Sequence, residues 1–310
     1  MFELKAKHIF VRAGELQIGN ETNPYPYKAQ IKLYGKKEEE TIVFDNAIEA
    51  GSKLIANVNK VSIYGRPRAD TPKIMRLHAP AHIGDKKITV DKNAGLKKGD
   101  RIGLAPTSFD NRGYDDVFVE NYDPATGVVD IDKALIHYHY GWDNTGKAAH
   151  EVQRYTFEKA SKGPKLDDLD VRGEVFLLTR NVKIYSEDIE SWGGQFVTSD
   201  TVEIEGIDIK QRTGVTILDN VEIFNCSQIN TRKAALRFEK AKLGSSKVTN
   251  SVLHNGWGWG INVQSSANIV FENNILFSFR PVGIGMLDSK DVTLTGNVVS
   301  HIYERPSTGA

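Results

Sequence analysis

The sequence predicts an all-β protein: a β-rich N-terminal domain, residues 1–165, packed on a right-handed, single-stranded parallel β-helix, residues 166–310. Three observations predict it. Phe271-Glu-Asn273-Asn274-Ile275 returns 23 residues later as Leu294-Thr-Gly296-Asn297-Val298, and the frame also fits 23 residues earlier at Val248-Thr-Asn250-Ser251-Val252. A fixed period of this size marks stacked structural units. Each unit holds short alternating β patterns and no helical stretch, and an Asn or Gly recurs at one place in each.

The N-terminal part reads as short strands separated by turns. Candidates are His8–Arg12, Glu15–Ile18, Ala29–Tyr34, Thr41–Phe44, Lys53–Ala56, Val61–Tyr64, Ile88–Val90, Arg101–Leu104, Val117–Tyr122 and Val128–Ile131. Turns fall at Pro24-Tyr-Pro26, Lys98-Gly99-Asp100 and Pro124-Ala-Thr-Gly127. The polar run Lys159-Ala-Ser-Lys-Gly-Pro-Lys165 reads as a linker. Beyond it, Val182-Lys-Ile184, Phe196-Val197 and Val202-Glu-Ile204 are expected to start the β-helix.

Within the repeats, Leu236 and Phe238 align with Ile261 and Val263 and with Ile284 and Met286. Alternation turns these inward, with Ile223, Val248, Phe271 and Leu294 on the neighbouring strand. Arg237, Glu239, Asn262, Gln264, Gly285 and Leu287 are then displayed outside, as are Glu222 and Glu272. Aligning Ile223-Phe-Asn225-Cys226 with Val248-Thr-Asn250-Ser251 gives the column Asn225, Asn250, Asn273, Gly296. Asn and Gly enter the left-handed backbone region most readily, so this column is expected at a bend, with its Asn side chains bonding up the stack.

The formal net charge is zero and no basic run stands out, which argues against nucleic acid. No apolar stretch reaches membrane-spanning length, and Met1-Phe-Glu-Leu-Lys lacks the apolar core of a signal peptide. One cysteine, Cys226, excludes internal disulfides and is expected to be structural. Asn20-Glu-Thr22 is a candidate N-glycosylation site, whereas Asn225-Cys-Ser227, at a bend, is expected to be blocked.

Several motifs occur in one order that resembles the eight-glycine (G8) domain followed by the β-helix of fibrocystin and fibrocystin-like proteins. They are Ala13-Gly-Glu-Leu-Gln-Ile-Gly19, Ala29-Gln-Ile-Lys-Leu-Tyr-Gly35, Gly51-Ser-Lys-Leu-Ile55, Val171-Arg-Gly-Glu-Val-Phe-Leu-Leu-Thr-Arg-Asn181 and Trp257-Gly-Trp-Gly-Ile-Asn-Val-Gln-Ser-Ser266. Asn57-Val-Asn-Lys60 stands where that family often has further glycines. The resemblance implies an extracellular or cell-surface module, ciliary in some relatives, more than a defined reaction. It also admits two alternatives: a polysaccharide-active enzyme, since G8 proteins acting on hyaluronan share this architecture, and a carbohydrate-binding module without turnover.

The candidate ligand-binding residues are Arg237, Glu239, Asn262 and Gln264 on the displayed face and Trp257 beside it, suited to a glycan or a protein. Trp259 shares the parity of inward Ile261 and is flanked by glycines, so it is expected in core or turn packing. His137 and His139, two apart on one strand face, are the candidate metal ligands, with His150 as a third; the expectation is of structural histidines and no metal. No cofactor is expected, with calcium the one ion left open. A glycosidase would need paired carboxylates, and Asp115, Asp116, Asp167, Asp168, Asp170, Glu187, Asp188 and Glu190 are all equally suited to loops. No catalytic residue is assigned. The expected partners are proteins or extracellular glycans, with further coils or a neighbouring subunit stacking on the last coil.

Overall fold

The computed structural model describes residues 1–39, 41–44, 48–142, 170–187 and 192–303. Among these there is no helix. The chain forms two compact units, one from Met1–Pro67 with Leu178–Ala310 and one from Arg68–Leu177. The linker expected at 159–165, together with His150, Asp167, Asp168, Asp188 and Glu190, lies outside the described residues.

The first unit is a β-helix walled by three parallel sheets. Sheet A stacks strands Phe2–Ala6, Ala29–Leu33, Val182–Ser186, Val221–Phe224, Val252–His254, Ile275–Phe279 and Val298–Ile302. Sheet B stacks His8–Val11, Leu54–Asn57, Gln195–Thr198, Leu236–Glu239, Ile261–Gln264 and Ile284–Leu287. Sheet C stacks Glu15–Ile18, Lys60–Tyr64, Val215–Asp219, Ser246–Thr249, Ala267–Glu272 and Lys290–Thr295. Successive strands pair in parallel register, so each passage A–B–C is one coil.

This corrects the expected division at 165. Residues 1–67 supply the first two coils rather than part of a separate domain, because Ala29 pairs with Val182 and Leu54 with Gln195 across the whole intervening segment. Phe2–Ala6 and Ala29–Leu33 are thus already coil strands, well before Val182. Thr201–Glu205 is also not a coil strand. It pairs antiparallel with Asp208–Arg212 as a hairpin, and Val215–Asp219 takes the place in sheet C.

Inward parity holds through the middle of the stack. Leu236, Phe238, Ile261, Val263, Val248, Ile223 and Phe271 are buried in one apolar core with Ile31, Leu33, Ile55 and Phe196. Ile284 and Val292, one coil further on, are only partly buried against it. Met286 and Leu294, inward by register, are exposed to 48% and 41% because no further coil covers them among the described residues.

The corners explain the Asn pattern. Asn220, Asn250, Asn273 and Gly296 follow the paired sheet C residues Asp219, Thr249, Glu272 and Thr295, and all have φ between 52 and 63°. Asn225 also has a positive φ, but it belongs to another corner with Asn255, Ser278 and His301. The sequence alignment slipped there because that coil carries a longer loop between sheets A and B. The hydrogen-bonded ladder stands one residue past the bend column. Asn274 Oδ1 accepts from the Ser251 amide at 2.9 Å, and Asn274 Nδ2 donates to Val248 O at 2.8 Å and to Asn297 Oδ1 at 2.9 Å. The left-handed column makes one such bond itself, from Asn250 Nδ2 to Asp219 Oδ1 of the preceding coil at 2.6 Å, and the continuous ladder runs one residue later.

The second unit is a six-stranded antiparallel sheet in the order Lys87–Thr89, Val128–Ile131, Asp115–Tyr122, Arg101–Leu104, Glu174–Leu177, Ile74–Arg76. Its core includes Met75, Ile88, Ile102, Val117, Val129 and Val175.

Candidate functional site

The outer row of sheet B carries the residues that the sequence places on display. Arg237 and Asn262 do point away from the core, but they are only 3% and 1% exposed, so they are not displayed. Arg237 donates from one guanidinium nitrogen to Gln195 Oε1 at 3.3 Å and from another to Glu49 O at 2.9 Å, and its Nε stands 3.1 Å from Glu239 Oε2. Gln195 in turn donates to Ala50 O at 2.7 Å. These groups fasten the hairpin of Ile42–Val43 and Glu49–Gly51 over the sheet, where Phe44, Ile48 and Ala50 pack on Leu54, Ala56 and Val197. Burial depresses the Arg237 pKa, and the carboxylates of Glu239 and Glu49 offset part of that. Parity is a local property, whereas the cover comes from a segment far away in sequence, which is why the sequence reading missed it.

Beyond the hairpin the row opens. Glu239 and Gln264 are half-buried, and Trp259 is not in the core. It precedes its strand at a corner, so alternation does not apply to it. Its ring rests on Gly285 of the next coil, where an added Cβ would lie 2.5 Å from the ring. The Arg232 guanidinium stands over the ring at 6.0 Å. Asn262 donates to Arg232 O at 3.2 Å, which ties this arginine's backbone to the row. The buried Asn262 Oδ1 and Trp259 Nε1 have no hydrogen-bond partner. Arg232, Trp259, Glu239 and Gln264 thus form a shelf with an aromatic ring, a cation, an anion and an amide. Trp257, half-buried, faces the next corner instead, with the Arg280 guanidinium 5.4 Å from its ring centroid and 4.2 Å from that of Tyr303.

The remaining chemistry is structural in its contacts. Cys226 is buried, and burial pushes its thiol up to about 12. Glu222, expected outside, is fully buried. Its carboxylate accepts from the Arg180 amide at 2.7 Å, and it lies 3.0 Å from Lys183 Nζ and 3.2 Å from His254 Nε2. In the second unit His139 is completely buried, its Nδ1 2.9 Å from Ala105 O and its Nε2 2.9 Å from Asp115 Oδ2. Both ring nitrogens therefore face acceptors. Burial raises the Asp115 pKa, but the His139 contact and the backbone N–H groups of Ile136 and His137 outweigh it, so the carboxyl titrates below its ordinary value. His137 Nδ1 stands 2.9 Å from Tyr114 O and 3.6 Å from the same Asp115 Oδ2, so the two imidazoles converge on one carboxylate that His139 and the backbone already occupy. Among the described residues no group of three or more His, Cys, Asp or Glu side chains is placed to hold a metal ion.

On the outer face of sheet C, a cleft of about 230 Å³ is lined by Glu21, Tyr64, Asp219, Lys247 and Glu272, among others. Asp219 is saturated by Thr249 Oγ1 and Asn250 Nδ2, both at 2.6 Å, and by Asn220 Nδ2 at 2.8 Å.

Comparison with known proteins agrees with this architecture. Residues 1–77 match the G8 domain, and residues 179–308 match the right-handed beta helix region. The G8 match holds the first two coils, and it is shorter than the domain expected at 1–165. The chain is 23% identical to fibrocystin of Mus musculus over 295 residues, 94% of this chain, and 27% identical to fibrocystin of Canis lupus familiaris over 291 residues, 93% of this chain. Fibrocystin-L of Homo sapiens is 20% identical over 287 residues, 88% of this chain. The chain spans about 6% of the length of each of these relatives. Among solved structures, the Pseudomonas phage phi297 tailspike gp61 is 14% identical with a TM-score of 0.30, covering 94% of this chain and 42% of that one. The Gp54 tailspike of Acinetobacter baumannii bacteriophage AP22, in complex with A. baumannii capsular saccharide, is 12% identical with a TM-score of 0.30, covering 95% of this chain and 41% of that one.

Proposed function

We propose, from the premise that this is a fibrocystin-like chain in which a G8 domain continues into a right-handed β-helix, that it is a non-catalytic recognition module of the cell exterior. Its β-helix is a rigid rod that holds side chains at fixed spacing. The observation that carries the reading is the shelf on sheet B. Trp259, backed by Gly285 and faced by Arg232, offers an aromatic surface of the kind that packs on the apolar face of a sugar ring. Gln264 and Glu239 flank it with hydrogen-bonding groups for hydroxyls. The nearest carboxylate, Glu239, is already paired with Arg237, and that pairing favours binding over turnover. Exposed Met286, Leu287, Leu294 and Val299 on the last coil favour a second contact, with a further parallel coil.

The test is binding to a panel of extracellular polysaccharide fragments, followed by titration calorimetry on the best ligand. Trp259→Ala and Arg232→Ala are each expected to weaken binding at least tenfold, equivalent to about 1.4 kcal/mol, with far-ultraviolet circular dichroism unchanged. The same incubation is read for polymer length. Shortening of the polymer that disappears in Glu239→Ala would establish the alternative, a polysaccharide-cleaving enzyme, and remove the present reading.

A further inference from the structure

Two sequons occur in this chain, and the fold treats them differently. Asn20-Glu-Thr22 follows Glu15–Ile18, the end strand of sheet C. All three residues are exposed. The turn is closed by reciprocal backbone bonds between Asn20 and Asn23 at 3.1 and 3.2 Å. Asn20 Oδ1 accepts from Thr22 Oγ1 at 2.9 Å and from the Asn23 amide at 2.8 Å. The carboxamide oxygen is thereby fixed, and the nitrogen is left for other chemistry. The hydroxyl that a sequon requires already sits on the amide that would be modified.

Asn225-Cys-Ser227 has the opposite character. Ser227 and Cys226 are 0% and 1% exposed. Ser227 Oγ accepts from the Gly258 amide at 2.7 Å, and the Ser227 amide donates to Gly194 O at 2.6 Å, so the hydroxyl is built into the coil.

A second observation meets the first. Glu21, the middle residue of the exposed sequon, lines the cleft on sheet C with Tyr64, Lys247 and Glu272. Its volume of about 230 Å³ is below the roughly 300–1,000 Å³ of sites for drug-sized ligands and suits a single sugar ring. Tyr64 supplies an aromatic wall, and Lys247 and Glu272, 3.5 Å apart, supply a donor and acceptors for ring hydroxyls. We propose that Asn20, and not Asn225, is an N-glycan acceptor and that this cleft seats the proximal sugar of its glycan. In the modification, Asn20 Nδ2 attacks the anomeric carbon of a lipid-diphosphate-linked sugar. The N–C bond forms as the C–O bond to the diphosphate breaks, the nitrogen gives up one proton, and the lipid diphosphate leaves. The seated sugar then lies over the inner strands of sheet C, from Lys60–Tyr64 to Ala267–Glu272.

The biological setting rests on the exterior location proposed above, so the experiment supplies that location independently. The full chain is secreted from a eukaryotic host behind an appended leader, and glycan occupancy is read by peptide mass spectrometry. Occupancy at Asn20, lost in Thr22→Ala, with none at Asn225, is the expected result. An unmodified Asn20 or a modified Asn225 overturns the proposal whatever the shelf on sheet B binds. The seat is read from the relaxation of the isotope-labelled proximal sugar. Its resonances are expected to be broad in the parent and to narrow in Tyr64→Ala at equal occupancy; equally narrow resonances in both proteins overturn the seat.

Discussion

Replacing Asn274 with alanine removes a carboxamide that three neighbours depend on. The side chain is completely buried between coils. Its loss orphans the Ser251 amide, takes a donor from the Val248 carbonyl, and takes one of two donors from Asn297 Oδ1, which keeps the Asn274 amide at 3.0 Å. The orphaned amide costs about 1–2 kcal/mol and each of the other two bonds about 1 kcal/mol, so the expected loss is roughly 3–4 kcal/mol. Asn273, the preceding residue, provides the control. It has a φ of 55°, and glycine adopts that conformation without strain, so Asn273→Gly is expected to cost less than about 1 kcal/mol. Urea unfolding followed by fluorescence and circular dichroism together gives the comparison, because a stacked repeat and a second unit need not unfold in one step. Hydrogen exchange should show the Ser251 amide losing protection in Asn274→Ala alone. A cost below about 1 kcal/mol, or one no larger than that of Asn273→Gly, would refute the ladder as the element that fixes this corner.

Two further outcomes follow from the buried charges. Asp115 titrates below its ordinary value in the folded state, so its contribution is complete above the ordinary carboxylate range, about pH 4, and is lost as pH falls through the depressed folded value. The thermal midpoint of the second unit should therefore drop on acidification below about pH 4, and Asp115→Asn should lower it at neutral pH while flattening that dependence; an unchanged acid limb in Asp115→Asn contradicts the assignment. Arg237→Ala is expected to cost about 3–5 kcal/mol, as breaking a buried pair does, and to expose the Ile42–Gly51 hairpin to limited proteolysis, a change that cleavage kinetics would detect.

The part of the fold legible in the sequence is the part without insertions. The last two full coils repeat at an unbroken spacing, so Ile261 with Ile284 and Phe271 with Leu294 align as the strands pair. Alternation then sorts inward from outward residues correctly. The first two coils were hidden because the whole second unit lies in the chain between Lys60–Tyr64 and the strand it pairs with, Val215–Asp219. The Asn225 alignment failed for the same reason on a smaller scale. At the site, side-chain direction was legible but exposure was not. Asn262 and Arg237 point outward and are still buried, while Trp259, expected in core or turn packing, joins the shelf because it sits at a corner. The contribution of Arg232 had no sequence signal beyond its position two residues before Ala234.

The split first unit also sets the order in which the chain can assemble. During synthesis the first two coils emerge early, but their next neighbours, Val182–Ser186 and Gln195–Thr198, follow only after Arg68–Leu177 has been made. Closing such a long loop costs entropy before any strand contact repays it. The second unit has local antiparallel pairings and its own core, so it can complete itself before Val182–Ser186 and Gln195–Thr198 pair with the early coils. Its folding draws Ile74–Arg76 and Glu174–Leu177 together as neighbouring strands, which shortens the effective loop between the early and later coils. Completion of the inserted unit is thus expected to precede growth of the coil stack.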